Sequence, residues 1–151
     1  MAVVLADILD AKHVTLELAA GSRDGALRGI VATMEIAEPE KFLAEVVARE
    51  EVHTTFMGNG VAFPHARTDG VTEIVLGIGR SVAGVPFGAD DELAHLIFVI
   101  GVPKKRVNDY LVCVGALARL TKAEMTRAEL MATDSVDEFV ERLRAGSLLL
   151  E

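Results

Sequence analysis

The chain has 151 residues, of which 51% are apolar and 25% charged, and 15 Lys and Arg set against 23 Asp and Glu give a formal net charge of −8. That apolar fraction excludes a disordered chain, the length suits one domain spanning residues 1–151 rather than two, and the acidic balance argues against nucleic acid as a partner. A lone cysteine, Cys113, excludes an internal disulfide and a Cys-rich zinc site and fits a reducing cytoplasm. Met1–Asp10 carries Asp7 and Asp10 and no base, unlike a secretory leader. No apolar run approaches the about 20 residues that a membrane span needs, so no membrane insertion is expected.

The elements are read in chain order. His13–Leu18 alternates, with Val14, Leu16 and Leu18 on one face, as in a half-buried strand. Ser22 suits a helix N-cap, and Leu27, Ile30, Val31 and Met34 follow at i, i+3, i+4 and i+7. Pro39 suits a first helical position before the apolar stripe of Phe42, Leu43, Val46 and Val47. From Thr54 to Asp69, Gly58, Gly60 and Pro64 disfavour a helix and predict a turn with short strands. Ile74–Ile78 and Leu93–Val102 read as strands, the second buried on both faces. Gly79–Asp91 between them, with Gly84, Pro86 and Gly88, reads as a loop or short edge hairpin.

The last third reads as three helices. Asn108 is placed to cap one that runs to about Leu120, despite Gly115 inside it. Thr121-Lys-Ala-Glu124 and Ser135-Val-Asp-Glu138 both match the capping box. After the second, Val136, Phe139, Val140 and Leu143 repeat the helical spacing. The order β-α-α, a Gly-rich β region, β-β, then α-α-α predicts a layered α/β domain, a mixed β-sheet flanked by helices.

Chemistry has few places to sit. No two of the four histidines stand at His-x-x-x-His spacing and no Cys is near one, so neither a metal nor any other cofactor is expected. There is no Gly-x-Ser-x-Gly elbow or Walker loop, and Cys113 lies in an apolar run as a buried small hydrophobe. His13, His53 and His95 read as structural or solvent-facing. His65 differs, because Gly58-Asn-Gly-Val-Ala-Phe-Pro64 leads into it and Arg67 follows. The glycines allow close backbone approach, and Pro64 fixes its own φ and extends Phe63, which together hold the imidazole at an accessible rim. Arg49 and Arg67 are placed to neutralise a charged group there, since the guanidinium fork matches phosphate oxygens. On these features alone, His65 reads either as a phosphoryl-accepting residue or as a structural loop histidine.

The run Arg49-Glu-Glu-Val-His-Thr-Thr-Phe-Met-Gly-Asn-Gly-Val-Ala-Phe-Pro-His65-Ala-Arg resembles the signature of the fructose/mannitol-type enzyme IIA domain of the bacterial phosphoenolpyruvate-dependent phosphotransferase system, including its nitrogen-related branch. The resemblance covers nearly the whole chain. It implies a IIA mannitol/fructose-like fold and a phosphoryl carrier in the cytoplasm, without a cofactor. His65 then takes the phosphoryl group from the histidine-containing phosphocarrier protein and passes it to a cysteine of a IIB domain. Arg49 matches the family's arginine before the loop, and Thr55, Asn59, Arg67 and Tyr110 are the expected phosphate neighbours. In the nitrogen-related branch the same phosphorylation serves as a regulatory signal towards a target protein. The family's second histidine, at the start of the helix after the Val-Pro strand, is replaced here by Tyr110. Tyrosine donates a hydrogen bond but is not cationic.

Overall fold

A computed structural model describes residues 5–149. Its elements are α1 (Leu5–Ile8), β1 (Val14–Thr15), α2 (Arg23–Val31), α3 (Pro39–Val52), β2 (Val61–Ala62), β3 (His65–Thr68), β4 (Val75–Pro86), β5 (Leu93–Pro103), α4 (Val107–Lys122), α5 (Glu124–Ala132) and α6 (Val136–Leu149). Five strands form one mixed sheet in the order β1-β4-β5-β2, with β3 also pairing β5. Among the described strands β4 and β5 pair antiparallel, whereas β1 on β4, and β2 and β3 on β5, are parallel.

The sheet is buried on both faces, as the continuous apolar run of β5 requires. Leu96, Phe98, Ile100 and Val102 of β5 join a core with residues of α1, α4, α5 and α6, and Ile97 and Val99 join a second core with α2 and α3. This is the period-two alternation of a strand serving two layers. On β4, Leu76 and Ile78 enter the first core while Gly77 and Gly79 face α2. A Cβ on Gly77 would lie 2.6 Å from Met34 Cγ, and one on Gly79 2.7 Å from Ile30 Cδ1. The two glycines therefore let α2 sit directly on the strand.

Local chemistry explains most boundaries. Ser22 Oγ caps α2 by accepting from the Gly25 N–H at 3.1 Å, and Pro39 opens α3. The Ser135 box is formed, since Ser135 Oγ accepts from the Glu138 N–H at 3.1 Å. The Thr121 box is not, and this corrects the sequence reading. Thr121 is buried and its hydroxyl donates back to Leu117 O at 2.8 Å, so α4 runs on to Lys122. Asn108 does not cap α4 either, because the helix already begins at Val107, with Arg106 in the cap position. Gly115 is accommodated inside that helix.

The largest correction falls between residues 79 and 91. The expected loop or short edge hairpin is instead the continuation of a long strand: β4 runs to Pro86 and pairs β5 again, antiparallel, at Val85↔Ala94 and Pro86↔Leu93, after a register shift between Arg80 and Val85. Gly84, at φ 89°, takes the left-handed bend that lets the strand recover its partner. The first strand is shorter than its alternation suggests, although the Leu18 N–H still donates to Arg80 O at 3.0 Å. Among the described residues no helix is long and apolar enough to cross a membrane.

Candidate functional site

The site begins with the chain between α3 and β3. Gly58, Asn59 and Gly60 stand at φ 85°, 56° and 77°, a run of left-handed residues that reverses the chain. Gly60 is doubly constrained, because a Cβ there would also come within 3.1 Å of His95 Cδ2. Its carbonyl accepts from the His95 and Leu96 N–H groups of β5, at 2.7 and 3.0 Å. Pro64, which has no N–H to pair, gives its carbonyl to the Ile100 N–H at 2.9 Å. Docked in this way on β5, the chain enters β3 with Ala66 buried and with His65 and Arg67 on the opposite side of the strand.

Around His65 the elements converge. α3 packs on β3 and brings Arg49 from its last turn, and α4 brings Tyr110 from its first. Arg49, His65, Arg67, Val102, Tyr110 and Leu111 line one open cavity of about 250 Å³. A larger cleft of about 370 Å³ shares Arg49 and Arg67 with it and adds Lys41 and Lys104. The half-buried imidazole has its Nδ1 3.1 Å from Phe63 O and 3.2 Å from the Tyr110 hydroxyl oxygen. A carbonyl only accepts, so Nδ1 carries the hydrogen and Nε2 the lone pair. Nε2 has no hydrogen-bond partner among the described residues. The Tyr110 ring lies against the imidazole, with centroids 4.5 Å apart and planes tilted by 35°.

The electrostatics favour the same neutral form. Burial lowers the His65 pKa from its ordinary value; the Phe63 hydrogen bond opposes this, the Arg49 charge adds to the lowering, Glu50 opposes it, and Arg67 adds a smaller push downward. The Tyr110 hydroxyl is pushed up, chiefly by burial, and so keeps its proton. Burial also raises the Cys113 thiol to about 12, which leaves it inert as a nucleophile.

Of the residues expected from the sequence, His65, Arg49, Arg67 and Tyr110 are brought together. Thr55 and Asn59 are not in that cavity. The Thr55 hydroxyl and N–H both donate to the Glu50 carboxylate, and Asn59 lies at a separate cleft beside Met57 and Lys122. His53 is exposed at the end of α3, and His95 is satisfied by a 2.9 Å contact of its Nδ1 with Ser81 O. Asp109, adjacent to Tyr110, pairs with Arg106 at 3.3 Å.

Glu50 is the residue that sequence reasoning passed over. It is buried, and its carboxylate also accepts from the Thr54 hydroxyl at 3.1 Å. A signal was present, since an acid in the last turn of a helix opposes the macrodipole and needs another reason to be there.

A mixed-sheet α/β domain in which a half-buried histidine and two arginines line one cavity has the form of a phosphoryl carrier. The comparisons agree with that class. Residues 7–146 match the family described as "Phosphoenolpyruvate-dependent sugar phosphotransferase system, EIIA 2", and the chain belongs to it. A fructose-specific EIIA component of Haloferax volcanii is 32% identical over 81% of this chain and 82% of its own length. The chain spans only 22% and 17% of two longer relatives. Among solved structures, nitrogen regulatory protein IIA-Ntr of Neisseria meningitidis matches with a TM-score of 0.81 at 26% identity, over 92% of this chain and 98% of that one. Escherichia coli enzyme IIA mannitol, solved as a complex with phosphorylated enzyme IIB, matches at 0.78 and 25% identity, over 91% and 97%. Membership carries the family's role of phosphoryl carrier.

Proposed function

We propose that His65 is the residue on which this carrier holds its phosphoryl group. The observation that carries the proposal is the state of the imidazole. Nδ1–H is spent on the Phe63 carbonyl, so the remaining lone pair is on Nε2, and His65 lines a cavity with Arg49 and Arg67. The Nε2 lone pair attacks the phosphorus of a phosphohistidine on the histidine-containing phosphocarrier protein. A new N–P bond forms as the donor's N–P bond breaks, and the donor imidazole keeps that electron pair. Arg49 and Arg67 neutralise the dianion in flight, which is most of what such a transfer asks of a protein. In the second step a cysteine thiolate of a IIB domain attacks the same phosphorus, and the N–P electrons return to Nε2. An open rim suits two partners that dock in turn, in the cytoplasm where sugar uptake draws on phosphoenolpyruvate. Tyr110, in the place of the family's second histidine, shares the Nδ1 hydrogen with Phe63 and steadies the ring without adding a charge.

Incubation with phosphoenolpyruvate, enzyme I and the phosphocarrier protein tests this reading. It should add one acid-labile, base-stable phosphoryl group, detected by intact mass, and His65→Ala should abolish the gain while the chain keeps its circular dichroism. A gain that survives in His65→Ala overturns the assignment. A second reading, a regulatory module of the nitrogen-related type, draws on the match to IIA-Ntr and on the loss of the second histidine. It is favoured if phosphorylated protein fails to pass its group to any IIB domain yet binds a target protein in one phosphorylation state only.

A further inference from the structure

Away from the cavity of His65, three side chains meet at the far side of the sheet. Asp10 caps a 3₁₀ turn (Ala11–His13), His13 ends it, and Glu35 follows the end of α2. One donor atom from each lies within 4.8 Å of the other two. His13 is 8% exposed, yet neither of its ring nitrogens has a hydrogen-bond partner. A buried imidazole without partners leaves a lone pair and an N–H unsatisfied, which is destabilising. Its Nε2 faces Glu35 Oε1 at 3.6 Å, too far for a hydrogen bond. Two bonds of about 2.1 Å meeting at a tetrahedral angle put their donor atoms about 3.4 Å apart, so that separation nearly fits a metal ion between them.

From this the structure assigns a divalent transition-metal site, of the zinc class, to Asp10, His13 and Glu35. One imidazole with two carboxylates is a set that zinc accepts, with a fourth position left for water. The place already attracts a cation. Lys12 Nζ lies 3.4 Å from Glu35 Oε1 and 3.9 Å from Asp10 Oδ2. A single ammonium offsets half the charge of two carboxylates and leaves the imidazole unsatisfied, whereas a dication offsets all of it and takes up the Nε2 lone pair. Asp10 Oδ1 is held by the Lys12 N–H at 2.9 Å, which leaves Oδ2 to turn towards the ion. Bound metal would fasten the segment before β1 to the end of α2. That role is independent of phosphoryl transfer, because β4 and β5 separate β1 from the strand that carries His65.

Zinc sulfate titrated into the full chain, freed of metal by a chelator, tests the assignment by calorimetry, with cobalt(II) absorption as the check on coordination. One ion should bind per chain, with a dissociation constant of about 10 μM or tighter. Asp10→Asn and Glu35→Gln, both at side chains open to solvent, should each weaken binding at least about tenfold. Lys12→Gln should strengthen it severalfold by removing the competing ammonium. Zinc should also shift the His13 ring nitrogens in ¹⁵N spectra and leave those of His65 in place. Absence of binding in the unaltered chain overturns the site, as does binding that Asp10→Asn and Glu35→Gln both leave unchanged.

Discussion

The imidazole of His65 shows how a single residue is tuned by its surroundings. Burial, Arg49 and Arg67 hold its pKa below 6.5, against the opposing pull of the Phe63 carbonyl and Glu50. The sign of the pH dependence follows. At neutral pH the ring is already unprotonated, so phosphoryl uptake should be flat above pH 7 and fall only as acid protonates Nε2 on the low side of 6.5. Stability runs the same way. The unfolded chain binds this proton at a higher pH than the folded one, so His65 costs stability progressively as pH drops through that window. Arg49→Gln separates charge from mere position. Loss of its positive charge should move the acid limb of the rate profile to higher pH and slow uptake at pH 8 by about ten- to a hundredfold, since the dianion loses a cation. Rapid-quench phosphorylation across pH 5–9 reads both effects, and an unmoved acid limb would contradict the electrostatic account.

Between α3 and β3 the element that matters is the loop, and Glu50 sets its course. Its carboxylate takes the Thr55 N–H and both threonine hydroxyls, so the chain leaves the helix in one direction before the turn at Gly58–Gly60. Glu50→Gln keeps the shape but puts an amide where an acceptor is needed. Charged hydrogen bonds of this kind contribute about 1.5–3 kcal/mol each, so a loss of about 2 kcal/mol in urea unfolding is expected, with slower phosphorylation of a less firmly held His65. The sequence motif exposed the loop and the residues at its rim because glycine, proline and histidine carry their constraints locally. It did not expose the role of Glu50, which depends on which face of α3 is covered. Helices with an apolar period of 3.6 were legible for the same local reason. The stretch from Gly79 to Asp91 was not, because its strand character comes from pairing with β5 across a register shift, while Gly84 and Pro86 mimic a loop. Thr121 misled likewise, since a hydroxyl that caps an exposed turn bonds back to its own helix once it is buried.

At the scale of the whole molecule, a buried cation joins the layers. Arg80, on β4, is 7% exposed and has no carboxylate partner among the described residues. Its Nε donates to Leu16 O at 3.2 Å, and its Nη1 reaches Leu130 O, Met131 O and Thr133 O at 2.9, 3.3 and 2.8 Å, and Thr133 Oγ1 at 3.0 Å. Leu130 and Met131 lie in the last turn of α5, whose last carbonyls have no partners within the helix and carry the negative end of its dipole. One guanidinium thus satisfies that helix end and ties it, through the sheet, to the strand-to-helix connection after β1. Arg80→Met keeps the volume of the stem but takes the guanidinium from the Met131 and Thr133 carbonyls and leaves Leu130 O to the Thr133 hydroxyl, 3.0 Å away. A loss of about 3–5 kcal/mol is expected, as when one partner is removed from a buried charged contact. For a chain of this size that lowers the melting temperature by about 10 °C. Arg80→Lys, a cation without the fork, should recover only part of the loss. Arg80 does not line the cavity of His65, so phosphorylation per folded molecule should match the unaltered chain at a temperature where both are folded. Equal melting temperatures for Arg80→Met and the unaltered chain would show that water, not Arg80, satisfies the end of α5.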